Sequence, residues 1–214
     1  MTEENKGSLD AKNSKHKKAM EKQKEKVDAN IKKADEERGV MIVLTGNGKG
    51  KSSSAFGMVL RALGYDHKVG VVQFIKGVQL SGEEIFLKEK VSLLPSFEDE
   101  DFYQMGTGFT WNTQDRSSDI EAAERTWVVA ERMLKDDRYN LVVLDELTYM
   151  IGYKYLDEER IINALKNRPR EMSVVVTGRG GGSALQEIAD TVSEIKDVKH
   201  AYKSGIKARI GVDF

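Results

Sequence analysis

From Val40 onward, apolar residues come in short, nearly unbroken runs instead of alternating with polar ones. Val40–Thr45, Val69–Lys76, Leu141–Asp145 and Ser173–Thr177 are rich in β-branched residues, the pattern of strands buried on both faces. Stretches of helical period lie between or after them, at Ser52–Leu63, Arg116–Lys135, Glu158–Lys166 and Ala184–Ala189. Phe102–Met105 and Thr191–Ile195 read as two further strands, and Asp157 and Gly182–Ser183 as helix starts. Strands alternating with helices predict an α/β domain over residues 40–214, with a mostly parallel sheet covered by helices on both faces. Within Arg116–Lys135, Trp127 falls in register with Ile120, Ala123, Ala130 and Leu134, which assigns it to the core.

Residues 1–39 follow a different rule. They hold eleven Lys/Arg and nine Asp/Glu, with no aromatic residue and no proline. Glu21, Lys24 and Glu25, and Asp28 with Lys32, give the charge pairs of a solvated helix. Met20, Val27, Ile31 and Ala34 form a thin apolar stripe at helical spacing. The expectation is a solvated tail over 1–9 and a helix over 10–38, whose stripe leans on the domain or on a second subunit.

Composition narrows the function classes. Lys+Arg number 34 against 35 Asp+Glu, so net charge gives no reason to expect nucleic acid or an acidic membrane as partner. There are no cysteines, which excludes disulfides, thiolate metal sites and a cysteine nucleophile. No apolar run is long enough to span a membrane, and the lysine-rich start lacks the apolar segment of a signal peptide. A cytoplasmic protein is expected.

The chemistry starts where the first strand ends. Thr45-Gly-Asn-Gly-Lys-Gly-Lys-Ser52 joins a strand to a helix through a glycine-rich turn, the context of a phosphate loop (P-loop) in an NTPase-like fold. Gly46, Gly48 and Gly50 allow backbone N–H groups to turn around phosphate oxygens, and the helix N-terminus adds its positive dipole end. Lys51 supplies a cation and Ser52 a hydroxyl for Mg²⁺, with Lys49 as a second cation. The spacing Gly46-x-x-x-Gly50-Lys51-Ser52 is one residue shorter than the usual loop. The alternative is a strand-to-helix turn with no ligand.

Asp145 and Glu146 end an apolar strand, where ligands bind in open α/β sheets. One carboxylate can hold Mg²⁺ and the other orient it; the competing reading makes Asp145 a helix cap. Arg179, flanked by Gly178 and Gly180, can reach a nucleotide's phosphates or ribose, or simply sit in a surface turn. Phe109 and Trp111 in Gly106-Thr-Gly-Phe-Thr-Trp111 have no helical register, so they either meet a flat apolar ligand or fold back onto the core. His16, His67 and His200 are isolated and carry no metal-binding spacing.

Several of these segments together resemble the bacterial P-loop type cob(I)alamin adenosyltransferases, the corrinoid (cob(I)yrinic acid a,c-diamide) adenosyltransferases of cobalamin synthesis and salvage. They are residues 45–52, Val72-Gln-Phe-Ile-Lys-Gly77, Gly106–Trp111, Leu144-Asp-Glu-Leu-Thr-Tyr149, Thr177-Gly-Arg-Gly180, Ala189-Asp-Thr-Val-Ser-Glu194 and Val198-Lys-His-Ala201. The resemblance spans about residues 16–214. It implies that Co(I) of a corrinoid attacks the 5′ carbon of ATP and releases triphosphate. It also implies that ATP lies reversed relative to ordinary P-loop enzymes, and the short loop is compatible with that.

By the same resemblance, Gly46 to Ser52 cradle the triphosphate, with Asn47 and Lys51 as contacts, and Ser52 and Glu146 hold Mg²⁺ or Mn²⁺. Arg61 and Arg179 contact the nucleotide. Phe109 and Trp111 displace the corrinoid's lower axial ligand, which eases reduction of Co(II). A reduced flavoprotein as electron donor and a homodimer whose N-terminal helix covers the partner's active site complete the family picture. Ser52 departs from the family's usual threonine, and the acidic stretch Ser92–Asp101 looks longer than its counterpart. Two other readings of the same motifs are a conventional P-loop ATPase or kinase and a nucleotide-dependent regulator with a lysine-rich arm.

Overall fold

The computed structural model describes residues 3–75, 81–91, 96–106, 115–180 and 182–213. The chain divides into two units, 1–37 and 38–214.

The first unit is a single helix, α1, Glu3–Ile31. It begins earlier and ends earlier than its charge pattern predicts. The chain leaves the helix at Lys32 because continuing would put Asp35, Glu36 and Glu37 in the last turn, against the negative end of the helix dipole. Met20, Val27 and Ile31 are exposed on it.

The second unit is built on six strands: β1 Met41–Thr45, β2 Val69–Gln73, β3 Phe102–Gln104, β4 Leu141–Asp145, β5 Ser173–Thr177 and β6 Thr191–Glu194. Every pairing is parallel, in the order β3-β2-β4-β5-β1-β6. All six predicted strands form, each within a few residues of its predicted bounds. Lys76, the predicted end of β2, lies outside the described residues.

Side chains along the central strands alternate between two cores, as the period of two requires. Val142, Leu144, Val174 and Val176 enter one, and Leu141, Val143 and Val175 the other. Helix α2 (Lys51–Leu63) covers the second core with Ala55, Phe56, Val59 and Leu63. The first is covered by α4 (Arg116–Lys135), α5 (Leu147–Gly152), α6 (Glu158–Lys166) and α7 (Ser183–Ile188). Trp127 of α4 is fully buried there, tilted against Phe74 with ring centroids 6.3 Å apart. α4 and α6 begin at Asp115 and Asp157, whose carboxylates accept from first-turn N–H groups. α5 and the short α3 (Gly82–Phe86) are not anticipated by the sequence pattern.

The amino-terminal edge of the sheet is tied by one buried carboxylate. Asp101, just before β3, is fully buried and accepts from the Tyr139 hydroxyl (2.6 Å), Lys68 Nζ (2.9 Å) and the Glu98 N–H (2.7 Å). These partners lie just before β2, β3 and β4, so three strand starts share one anion. Removing it leaves the Tyr139 phenol without its partner and Lys68 with the exposed Glu98 alone, at 3.1 Å. Asp101→Ala should therefore cost about 2 kcal/mol of stability in urea titration. A loss below about 1 kcal/mol would mean that the cluster behaves as a surface pair.

Candidate active site

Parallel pairing puts the carboxyl ends of all strands on one edge, and the sequence-predicted residues collect there. β1 runs into the turn 46–50, in which Gly46 (φ 97°) and Gly50 (φ 110°) adopt left-handed backbone closed to most side chains. A Cβ on Gly46 would also come within 2.4 Å of the Ile195 carbonyl oxygen. α2 starts at Lys51 with no side-chain cap, so its first N–H groups are left for a ligand or water.

The loop's groups are not all free. The Gly48 N–H donates to the Ile195 carbonyl (2.7 Å), and the Ile195 N–H to Thr45 (2.8 Å). The chain following β6 thus extends the ladder and takes one amide that the motif alone would assign to phosphate. Lys51 is buried, its Nζ donating to the Gly48 carbonyl (2.8 Å). Burial lowers its pKa, Arg179 adds to that, and Glu146 and Asp145 oppose it. Lys49 is half exposed and forms an ion pair with Asp213 near the chain's end.

The two carboxylates after β4 have separate fates. Asp145 is buried and both its oxygens are taken, Oδ1 by the Thr177 hydroxyl (2.6 Å) and Oδ2 by Gln73 Nε2 (3.0 Å). It caps no helix. Glu146 instead precedes α5 in left-handed backbone (φ 59°), a conformation that costs a non-glycine residue roughly 1–2 kcal/mol. Its Oε2 is buried with no hydrogen-bond partner. Burial first, then the charge of Asp145, pushes its pKa up to about 7, against the pull of Lys51 and Arg179.

A cavity of about 420 Å³ brings these groups together. Residues 48–53 form one wall, Glu146, Tyr149 and Tyr153 another, and Arg179 and Asp213 close the rim. Asn47 is exposed on the loop. Arg61 is exposed in the last turn of α2, about 15 Å along the helix from Lys51, and does not line the cavity. Phe109 and Trp111 lie outside the described residues. Tyr149, Tyr153 and Asp213 escape the sequence reading. The tyrosines' i, i+4 spacing is a signal it could have used, with rings 5.6 Å apart; Asp213 carries no local signal.

A divalent cation fits this donor set. An orphaned carboxylate oxygen and a serine hydroxyl are the few protein ligands that Mg²⁺ takes when phosphates and waters supply the rest. Among the described residues no cluster of three or more acidic, His or Cys side chains offers a different metal centre.

The family described as ATP:corrinoid adenosyltransferase BtuR/CobO/CobP matches residues 37–214. A Corrinoid adenosyltransferase of Pseudomonas aeruginosa is 51% identical over 203 residues, covering 95% of this chain and 97% of that one. One of Escherichia coli K12 is 50% identical, covering 89% and 93%. Corrinoid adenosyltransferase CobA of Salmonella typhimurium is 47% identical, covering 91% and 95%.

The raised pKa of Glu146 has a signed consequence. Between about pH 4.5 and 7 the folded chain keeps a proton that the unfolded chain has lost, so stability falls as pH rises through that window and stays lower above it. In metal-free protein, Glu146→Gln should melt several degrees above wild type at pH 8, with the gap shrinking toward pH 5. A gap independent of pH would contradict the ionised, unpartnered carboxylate.

Proposed function

The chain belongs to the ATP:corrinoid adenosyltransferase family, and from that premise we propose how its residues transfer the 5′-deoxyadenosyl group of ATP to the cobalt of a corrinoid. The observation that carries the assignment of roles is the meeting of Lys51 and the orphaned Glu146 oxygen in one cavity at the start of a helix. Gly46 to Ser52 receive the triphosphate, with the positive end of α2 and Lys51 facing its charge. Asn47 and Lys49 add contacts from the loop, Lys49 once it leaves Asp213. Ser52 and Glu146 would hold Mg²⁺ or Mn²⁺, which would supply positive charge against the triphosphate. Arg179 reaches the nucleotide from the opposite rim. Arg61 is kept as a nucleotide contact only on the resemblance, since it stands away from this cavity.

The substrate cobalt, as Co(I), supplies an electron pair to the 5′ carbon. The carbon–oxygen bond breaks and its pair departs with triphosphate. No proton moves, so the site requires no general base, and the work left to the protein is alignment and charge stabilisation. The apolar face of the reaction falls to Phe109 and Trp111, which we assign to removing the corrinoid's lower axial ligand so that Co(II) accepts an electron more readily.

The finer setting is also proposed. A reduced flavoprotein donates the electron, and the protein acts in the cytoplasm, where ATP and such a donor are found together. A homodimer gives the exposed Met20, Val27 and Ile31 stripe an apolar surface to cover, with α1 lying over the partner's active site.

Lys51→Ala should keep the fold and lower adenosylation by about 10²-fold or more, even at saturating ATP, because a fixed charge on the leaving group is lost. Near-normal turnover would remove the loop from the reaction. Trp111→Ala should fail with a flavoprotein reductant yet regain most activity when a strong chemical reductant supplies Co(I). Equal loss with both reductants and a lowered Tm would make Trp111 a packing residue.

A further inference from the structure

Glu146 and Arg179 face the same cavity from different strand ends, and each is fixed by a hydroxyl from the other's strand. The Glu146 N–H donates to Thr177 Oγ1 (3.0 Å) at the end of β5. The Thr148 hydroxyl, just after β4, donates to the Arg179 carbonyl (3.0 Å). Both threonines are buried, at 0% and 2% exposure. We propose that Thr177 and Thr148 are reciprocal positioning residues, Thr177 setting the metal-binding carboxylate and Thr148 the nucleotide-binding arginine. The inference rests on the roles proposed above for Glu146 and Arg179.

A hydroxyl has one proton to give. Thr177 gives its proton to Asp145 Oδ1 (2.6 Å), so its lone pair is what faces the Glu146 amide. Asp145, whose other oxygen accepts from Gln73, is thus held by one hydrogen bond on each oxygen. Its charge polarises the threonine that pins Glu146 in left-handed backbone. Glu146 Oε2, by contrast, is buried with no hydrogen bond, and it is the oxygen assigned to the cation.

Thr148 meets a different need. Arg179 stands between Gly178 (φ 143°) and Gly180 (φ 80°), two pivots with little steric restraint. A Cβ at 178 would fall 2.0 Å from Thr148 Oγ1. The threonine thus fills the space vacated by the glycine and holds the next carbonyl, converting a loose turn into a defined one.

Equilibrium binding with two probes, without turnover, separates the roles. The probes are ATP in the absence of metal, and Mn²⁺ added to the ATP complex and followed by its electron spin resonance. Thr177→Val keeps the side chain's shape and removes the hydroxyl. It should weaken Mn²⁺ binding about tenfold, as loss of a partner that orients a metal ligand does, with metal-free ATP affinity unchanged. Thr148→Val should do the reverse, weakening metal-free ATP about tenfold, near the worth of one hydrogen bond to a charged group, with Mn²⁺ affinity of the complex unchanged. Serine at either position should restore wild-type values. Where valine does not fold, cysteine, a weak hydrogen-bonding group, replaces it with serine as the matched reference. Glu146→Gln and Arg179→Ala are measured in parallel. If they leave Mn²⁺ and ATP binding intact, the underlying roles are wrong and the inference falls with them. If they weaken binding as proposed while the threonine variants do not, or while both threonine variants lose both ligands alike, the inference alone is overturned.

Discussion

Parallel pairing is the constraint on which the rest of the molecule depends. Because all the strands point the same way, the residues that follow them meet along one edge, however far apart they are in the chain. Gly48 and Glu146 are 98 residues apart and line one cavity. The opposite edge, where the strands begin, carries the Asp101 cluster with its hydrogen bonds satisfied. One end of the sheet is thus specialised for cohesion and the other for chemistry.

The carboxyl edge is not loosely built. Asp145 and Glu146 are adjacent in sequence and opposite in circumstance. The first is saturated with hydrogen bonds from Gln73 and Thr177, and the second is turned by a strained backbone so that one oxygen is buried with none. An unsatisfied buried carboxylate oxygen destabilises a fold, and the proposed cation would offset that cost. Lys51, lodged on the Gly48 carbonyl, and Lys49, paired with Asp213, similarly hold their charges on partners that a triphosphate can replace.

Much of this was legible before any coordinates. Four strands are continuous apolar runs, and the burial of Trp127 follows from its helical register. The phosphate loop and the acidic pair after β4 are recognisable because local backbone chemistry demands particular residues there. Other features depend on distance in space. Nothing near Asp213 announces that it reaches Lys49, and nothing near Thr148 announces that it holds Arg179. The commitment of the Gly48 amide to Ile195 arises because β6 lies beside β1, a neighbour that the loop sequence does not encode. The ends of α1 escape the sequence pattern because charge pairs along a solvated helix mark its face and not its limits. The roles proposed for Phe109 and Trp111 rest on the family resemblance alone, since no period or packing rule applies to them.

In the proposed function this loop presents the 5′ carbon of ATP to a metal nucleophile and leaves the β–γ bond intact. The most direct measurement is the phosphorus-containing product formed with ATP, Mg²⁺ and a chemically reduced corrinoid, resolved by ³¹P NMR and compared with the amount of cobalt–carbon bond formed. Inorganic triphosphate should appear in equal amount to adenosylated corrinoid, with no ADP. Release of ADP and orthophosphate without cobalt–carbon bond formation would contradict the account and make the chain an ordinary nucleotide hydrolase.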